Sequence, residues 1–157
     1  MRVGILGATG MVGQRFITLL EDHPWFEVVA VAASKDSAGK SYADAVQGRW
    51  KHAAPIPARV AGLVVYSVED DIAKIQEQVD FVFSSIDMDK DATRRVEEAY
   101  AAAGIPVVSN NSAHRWTPDV PMLLPEINPE HLDIIPIQRK KRGWTTGLIV
   151  VKPNCSI

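Results

Sequence analysis

The stretch Gly7-Ala8-Thr9-Gly10-Met11-Val12-Gly13 decides the fold of this chain. It follows an apolar run at residues 3–6 and opens a segment with helical patterning over residues 11–22. Strand, glycine turn and helix in this order form the first step of a dinucleotide-binding unit. The spacing is G-x-x-G-x-x-G, which departs from the commoner G-x-G-x-x-G, so a purely structural turn is the alternative.

Each glycine of this turn has a physical task. We expect Gly7 to turn the chain off the strand, Gly10 to let the backbone approach a pyrophosphate, and Gly13 to let the helix pack closely on the sheet. The helix start offers unpaired N–H groups and the positive end of a dipole, both of which favour phosphate. The loop therefore predicts nucleotide binding.

Composition limits the function classes. The chain has 157 residues, of which 46% are hydrophobic and 23% charged, and its formal net charge is −2. A weakly acidic domain of this size has a real core but no field that attracts nucleic acid or an anionic membrane. It contains one cysteine, no apolar run of about 18 residues and no signal-peptide pattern. We expect a soluble cytoplasmic protein that does not bind nucleic acid or membranes.

Short apolar runs alternate with amphipathic segments up to about residue 111, and one further apolar run follows near the end of the chain. Strands are predicted at residues 27–33, 63–67, 80–85, 105–109 and 147–151, and helices at residues 68–78 and 90–103. This alternation predicts an α/β fold, a Rossmann-like doubly wound parallel sheet covered on both faces. Ligands bind beyond the carboxyl ends of such strands. Those ends carry small or polar residues: Gly7, Ser34, Ser84, Ser85, Asn110 and Asn111.

Two segments lack this alternation. Residues 41–62 predict an irregular excursion, and the proline-rich part after Asn111 is expected to be extended over residues 123–128. The basic run Arg139-Lys140-Lys141-Arg142 predicts a solvated face, with weak anion or nucleic-acid contact as the alternative.

The loop after the second predicted strand indicates which nucleotide binds. An acidic residue about 20 positions past the glycines would hold a 2′-hydroxyl and imply NAD. That place holds Ser34, followed by Lys35 and Ser37, which suit a 2′-phosphate, although Asp36 argues the other way. We predict NADP, with NAD or no dinucleotide as alternatives.

The lone cysteine, Cys155, follows a predicted strand and Pro153-Asn154, where another helix is expected to start. A helix N-terminus favours the thiolate, which is the nucleophile, although lone cysteines are commonly buried and inert. A thiolate beside a nicotinamide implies addition to an aldehyde and hydride loss to leave a thioester.

Several separate motifs together resemble the aspartate-semialdehyde dehydrogenase family, and its archaeal and fungal branch in particular. They are the glycine loop with Gln14, the run Ser109-Asn110-Asn111-Ser112-Ala113-His114-Arg115, Pro125-Glu126-Ile127-Asn128 and Pro153-Asn154-Cys155-Ser156. Residues 14–27 and 137–144 are similar to that branch as well. The resemblance covers essentially the whole chain.

The resemblance implies a role for each matched residue. Cys155 would be the acyl-thioester nucleophile, and Asn154 would order the nicotinamide and the substrate. Arg115 would bind phosphate, either inorganic or that of an acyl phosphate, as a guanidinium fork can, and Asn111 would lie on the same substrate side. The cofactor would be held at the pyrophosphate by Thr9, Gly10, Met11 and Val12, at the 2′-phosphate by Ser34, Lys35 and Ser37, and along the cleft by Ser84 and Ser85.

The implied reaction is the NADP-dependent reductive dephosphorylation of aspartyl β-phosphate to aspartate β-semialdehyde, which feeds lysine, threonine and methionine synthesis. Two residues depart from the family pattern, Lys152 and Ile157. Family members are about twice as long, and a second α/β domain supplies the base histidine and the dimer contacts. Residues 1–157 would then be an NADP-binding domain that ends at the catalytic cysteine, part of a homo-oligomer and inactive alone.

None of the four histidines matches that base, and their spacing resembles no metal-ligand set. A malonyl-CoA or other acyl-CoA reductase of the same branch is the first alternative. An N-acetyl-glutamyl-phosphate reductase fits less well, because its cysteine usually follows proline-glycine. A non-catalytic nucleotide-binding module is the alternative from another class.

Overall fold

The computed structural model describes residues 1–156, and Ile157 lies outside the described residues. Within them, six strands form one sheet: β1 (Arg2–Leu6), β2 (Glu27–Ala33), β3 (Val65–Ser67), β4 (Phe81–Ser84), β5 (Pro106–Ser109) and β6 (Leu148–Val151). The helices are α1 (Met11–Leu19), α2 (Tyr42–Ala45), α3 (Ala58–Ala61), α4 (Ile72–Gln76), α5 (Lys90–Ala102) and α6 (Ile135–Arg142), the last preceded by a 3-10 helix (Pro129–Ile134).

The strand order is β3-β2-β1-β4-β5-β6, and every neighbouring pair is parallel. From β1 the chain adds β2 and β3 on one side of the sheet and then β4, β5 and β6 on the other side. The direction of strand addition therefore reverses between β1 and β4. In open parallel sheets this switch point opens a crevice at the carboxyl ends of the strands. The predicted Rossmann-like α/β sheet is therefore confirmed, and the glycine loop lies at its switch point.

Both faces of the sheet are buried, which is why the strands are nearly continuous apolar runs. One face packs Val3 and Ile5 of β1 with helices α1, α2 and α3 through Ile17, Tyr42 and Val60. The other packs Leu6 and Val82 with α4 and α5 through Ile75, Val96 and Tyr100. A fully buried side chain of this size contributes roughly 1.5–3 kcal/mol, so the two apolar layers hold the sheet.

Strand β2 has the predicted bounds, and the prediction for β1 is one residue too short. The other predicted elements are one to six residues too long. The helix predicted from residue 68 begins at Ile72, because the N–H of Val68 donates to the carbonyl of Ala33 and extends the β3 pairing. The Asp71 carboxylate then accepts from the N–H of Ser67 at 2.8 Å, which closes a turn before the helix. Helix α1 ends at Leu19, three residues before Asp22, whose φ is 55°.

The segment after Asn111 covers the free edge of β6. The Gln138 amide of α6 donates to the Ile149 carbonyl at 3.0 Å and accepts from the Ile149 N–H at 2.9 Å. Pro121 and Leu123 exchange backbone hydrogen bonds with Val151. An unpaired sheet edge is a template for aggregation, so this proline-rich segment protects the sheet.

The prediction that residues 139–142 form a solvated face is wrong at two positions. The Arg142 side chain is 17% exposed and its Nε lies 2.6 Å from the Asp119 carboxylate, which is itself 4% exposed. Arg139 donates to the carbonyls of Gly147 and Thr146. Lys140 and Lys141 are exposed as predicted. Arg139 and Arg142 thus hold α6 against the β6 connection and against Asp119.

In the described part of the chain, no helix is long and apolar enough to cross a membrane.

Candidate functional site

The glycine loop has the geometry that its sequence predicts. Gly7 has φ of +79°, and a Cβ on it would lie 2.4 Å from the Ser85 carbonyl oxygen. A Cβ on Gly13 would lie 2.2 Å from the Gly7 carbonyl oxygen, so only glycine lets α1 approach β1 this closely. A Cβ on Gly10 would meet nothing nearer than 3.4 Å. Packing within the chain therefore explains Gly7 and Gly13 but not Gly10.

A cavity of about 310 Å³ opens beside this loop, at the carboxyl ends of β1, β2 and β4. Its walls include Gly7, Thr9 and Gly10 from the loop and Ser34 from the end of β2. The remaining lining residues are Ala33, Arg49, Val68, Ser85, Ile86, Asp87 and Met88. The cavity thus joins the N-terminus of α1 to the place where a dinucleotide fold holds the ribose.

A larger cavity of about 500 Å³ lies at the opposite edge of the sheet, beside the amino ends of β1 and β2. Met1, Trp25 and Phe26 contribute to its lining, and none of the sequence-predicted site residues does. Parallel sheets bind ligands at the other edge. We therefore assign the candidate site to the smaller cavity.

The loop after β2 separates the three residues predicted at the 2′-phosphate. Ser34 is exposed and lines the cavity. Ser37 is 3% exposed and its N–H donates to the Ser34 carbonyl, so it shapes the turn. The Lys35 ammonium lies 3.1 Å from the Asp70 carboxylate, and this hydrogen bond raises the Lys35 pKa. Of the three, only Ser34 lines the described cavity.

The irregular excursion after β2 is fastened to the glycine loop. The Gln14 side chain of α1 is 1% exposed, donates to the carbonyls of Thr9 and Arg49, and accepts from the Lys51 N–H. The buried Tyr42 hydroxyl donates to the Ala8 carbonyl at 2.8 Å, and burial raises the Tyr42 pKa. These buried hydrogen bonds bring Arg49 to the cavity, a residue that the sequence did not predict.

Ser84, the last residue of β4, and Ser85, which follows it, have different environments. The Ser85 hydroxyl donates to the Leu6 carbonyl at 3.0 Å, and the residue lines the cavity. Ser84 is fully buried and does not line the cavity described here, in contrast to the expectation. Its hydroxyl donates to Glu97 Oε1 at 2.6 Å. Ser84 therefore joins the end of β4 to α5 through Glu97.

Glu97 joins the carboxyl ends of two strands, and the sequence did not predict this role. Its Oε1 accepts from the hydroxyls of Ser84 and Ser109 and from the Asn111 amide, at 2.6, 2.7 and 2.9 Å. Glu97 is 0% exposed on the apolar face of α5. A carboxylate at a helical core position is the sequence signal that could have identified it, because such a group needs buried donors.

His114 lies against the same carboxylate. Its Nε2 is 4.0 Å from Glu97 Oε2, and neither atom has a hydrogen-bond partner within the described residues. Its Nδ1 lies 3.2 Å from the Thr117 hydroxyl. Burial lowers the His114 pKa and outweighs the opposing effect of Glu97 and Glu98. The ring is held inside the fold, so it contributes to the structure of the loop that carries it.

Arg115 extends from this loop to the end of β6. Its Nε donates to the Lys152 carbonyl at 3.2 Å, and its Nη2 lies 3.4 Å from the Asn110 carbonyl oxygen. The Lys152 N–H donates to the Ser109 carbonyl, which keeps the β5 and β6 ends together. The structure thus brings Arg115 to the segment that leads to Cys155, whereas the Asn111 amide donates to Ser84 and Glu97.

Cys155 is exposed, as is Asn154 before it. The Asn154 side-chain oxygen accepts from the Cys155 N–H at 2.7 Å, and the thiol sulfur lies 3.7 Å from the Lys152 ammonium. Residues 155 and 156 form a turn. The predicted helix start stays a prediction, because its continuation would include Ile157, outside the described residues.

Residues 1–156 contain no group of three His, Cys, Asp or Glu side chains that could hold a metal ion.

Comparison with known proteins agrees with this geometry. The family profile described as semialdehyde dehydrogenase, NAD-binding domain, matches residues 2–135. Aspartate-semialdehyde dehydrogenases of Methanothermobacter thermautotrophicus and Trichophyton rubrum are 47% and 46% identical over 99% of this chain. The chain spans 42% and 41% of the length of these two curated relatives.

A crystal structure of aspartate-semialdehyde dehydrogenase with NADP from Candida albicans superposes with a TM-score of 0.82 at 40% identity, over 99% of this chain and 43% of that one. A second structure, from Vibrio cholerae, superposes with a TM-score of 0.67 at 27% identity.

Proposed function

The chain belongs to the semialdehyde dehydrogenase family, through the NAD-binding domain of that family, and we propose that it is the NADP-binding part of an aspartate-semialdehyde dehydrogenase. The observation that carries the proposal is the shared edge of the sheet. The carboxyl ends of β1, β2 and β4 form the cavity, and the ends of β5 and β6 carry Arg115 and the Cys155 segment.

The residues present fit a dinucleotide. Gly10 has space that no side chain of the protein needs, and the first turn of α1 directs its free N–H groups toward that space. Ser34 lines the cavity where an NAD site would carry a carboxylate. The NADP bound by the similar Candida albicans enzyme favours the same cofactor here. In the biosynthetic direction the cofactor would bind as NADPH and supply the hydride that reduces the acyl group.

Cys155 is the proposed nucleophile, and its exposed thiol is open to a substrate. In the biosynthetic direction its sulfur forms a bond to the acyl carbon of aspartyl phosphate, the bond from that carbon to the phosphate oxygen breaks, and phosphate leaves. The Arg115 guanidinium, held at the ends of β5 and β6, binds the departing phosphate. The Asn154 amide oxygen, on the Cys155 N–H, orients the turn that presents the thiol.

We further propose that residues 1–157 bind the cofactor but do not turn over alone. Within residues 1–156 the hydrogen-bonding contact of the Cys155 sulfur is Lys152, and His114, the histidine on the Arg115 loop, is buried against Glu97. A base for proton transfer, and the contacts of a homo-oligomer, would come from the length that the longer relatives have. Sustained turnover of aspartate semialdehyde with NADP and phosphate by this chain would contradict this proposal.

Acylation of Cys155 tests the reaction class. Incubating the chain with aspartyl phosphate should add an aspartyl group to Cys155, detected by intact mass and peptide mapping, and Cys155→Ser should stay unmodified. Acylation by malonyl-CoA but not by aspartyl phosphate would favour the acyl-CoA reductase instead. A third outcome is that neither substrate acylates the thiol and that NADP does not change its rate of alkylation by iodoacetamide. That outcome would favour a non-catalytic nucleotide-binding module.

A further inference from the structure

Arg49 is the one cation among the described residues that line the 310 Å³ cavity. Thr9 and Gly10 of the glycine loop line the same cavity, and so does Ser34 at the end of β2. A guanidinium is planar and carries five N–H donors, which match the oxygens of a phosphate in pairs. The cavity thus holds a side chain suited to phosphate, together with the residue at the end of β2 where a dinucleotide fold reads the ribose.

The fold fixes the position of Arg49 from both sides. The Arg49 carbonyl accepts from the buried Gln14 amide at 3.0 Å, and the next-but-one N–H, of Lys51, donates back to Gln14 at 2.9 Å. One guanidinium nitrogen donates to the Ala45 carbonyl at the end of α2. The backbone and one edge of the side chain are therefore held, and the remaining donors are left for a ligand.

The charges around the two cations also favour Arg49 over Lys35 as the ligand of a phosphate. The Lys35 ammonium is paired with Asp70, and that carboxylate also accepts from the Ser67 hydroxyl, which lowers the Asp70 pKa. For Arg49, no carboxylate of residues 1–156 lies within 4.0 Å. Its positive charge is the one at the cavity that no carboxylate of the described chain neutralises.

We infer that Arg49 binds the 2′-phosphate of NADP together with Ser34 and that it sets the preference for NADP over NAD. The inference rests on the proposed function, because it assigns a residue to the cofactor of that same site. The cavity also contains a carboxylate, Asp87, on the loop after β4. A carboxylate repels phosphate and accepts from hydroxyl and amino groups, so Asp87 is suited to an uncharged part of the nucleotide.

Calorimetric titration of the chain with NADP and with NAD tests the inference, and Arg49→Gln is the decisive variant. It should weaken NADP binding by roughly ten- to a hundredfold, the range for a lost charge-assisted hydrogen bond, and leave NAD binding within about twofold. Arg49→Lys should fall between, since it keeps the charge but loses the fork. The matched control is Arg59→Gln, an exposed arginine beside Glu27, which should change neither affinity. Thermal unfolding of each variant confirms that it is folded.

Binding of adenosine 2′,5′-bisphosphate and of 5′-AMP distinguishes contacts to the 2′-phosphate from contacts to the 5′-phosphate. Neither ligand contains the nicotinamide half of the cofactor. Arg49→Gln should weaken the bisphosphate and spare 5′-AMP. Equal weakening of NADP and NAD would place Arg49 on the pyrophosphate and overturn the inference, as would unchanged NADP binding by a folded variant. If the unmodified chain binds NADP no better than NAD, the cofactor of the proposed function fails as well, so the two failures are distinguishable.

Discussion

Glu97 Oε2 faces His114 Nε2 at 4.0 Å inside the protein, and both residues are at most 1% exposed. Neither atom has a hydrogen-bond partner within residues 1–156. The other carboxylate oxygen of Glu97 accepts from Ser84 and Asn111. Glu97 and His114 therefore connect the end of β4 to the loop that carries Asn111 and Arg115, and protonation of the buried His114 is coupled to the stability of the fold.

Acid should destabilise the chain through His114. Burial holds the pKa of its imidazole below the ordinary 6.5, although Glu97 and Glu98 oppose the shift and Arg142 and Arg94 add to it. Below pH 6.5 the unfolded chain binds this proton first, so the free energy of unfolding falls as pH falls toward the folded-state pKa. The loss approaches about 1.4 kcal/mol per pH unit.

Denaturant unfolding at pH 7.5, 6.5 and 5.5 measures this effect. His114→Gln should flatten the pH dependence, whereas replacing the exposed His131 by Gln should leave it unchanged. The assignment to His114 is wrong if both variants retain the same slope.

Removing the Glu97 carboxylate should strongly destabilise the fold. Glu97→Ala leaves the hydroxyls of Ser84 and Ser109 without their acceptor and removes one of the two acceptors of the Asn111 amide. We expect a loss of at least about 3 kcal/mol in unfolding free energy. The exposed Glu77 is the matched control, and Glu77→Ala should stay within about 0.5 kcal/mol. Chemical denaturation compares the two. Similar small losses would mean that the strand ends do not depend on Glu97.

Substitutions at the glycines of the loop should distinguish a role in packing from a role in ligand binding. Gly13→Ala forces a methyl group against the Gly7 carbonyl and should cost about 1–3 kcal/mol of stability. Gly10→Ala has room in the protein, so its stability should change little while NADP binding weakens. Gly62→Ala, where a Cβ meets nothing within 4 Å, should alter neither. Melting temperature and NADP affinity measured on all three variants check this order, and a Gly10→Ala variant with full NADP affinity would contradict it.

Within the basic run of α6, Arg142 should contribute strongly to the stability of the fold and Lys140 should contribute little. Arg142→Ala leaves Asp119, 4% exposed at its side chain, without its principal partner, and we expect a loss of about 3 kcal/mol or more. The exposed Lys140→Ala should stay within about 0.5 kcal/mol. Equal unfolding free energies for the two variants would restore the solvated-face interpretation.

Much of the fold follows from the sequence because local signals carry it. Apolar runs of strand length, amphipathic helices and the glycine turn were enough to predict six parallel strands and the edge at which the site lies. The connection from β5 to β6 was not predictable in the same way. Its helix α6 has only one buried apolar residue, Ile135, and its anchor is the polar Gln138, so hydrophobic periodicity gives little signal there.

Site residues that directly follow a strand could be predicted from the sequence. Site residues that reach the cavity from an irregular segment could not. Ser34 and Ser85 follow β2 and β4 and line the cavity. Arg49 comes from an irregular segment whose position depends on the buried Gln14 and Tyr42 side chains. Lys35 was predicted to be a phosphate ligand from its charge, but the sequence does not show that Asp70 lies beside it. Tertiary pairing decides such cases.

Calorimetric titration of the unmodified chain with NADP and NAD tests the central claim most directly. We predict one NADP bound per chain, with NAD bound at least tenfold more weakly, because the cavity holds Ser34 and Arg49 where an NAD site carries a carboxylate. A folded chain that binds neither dinucleotide, or that binds NAD as tightly as NADP, would contradict the claim.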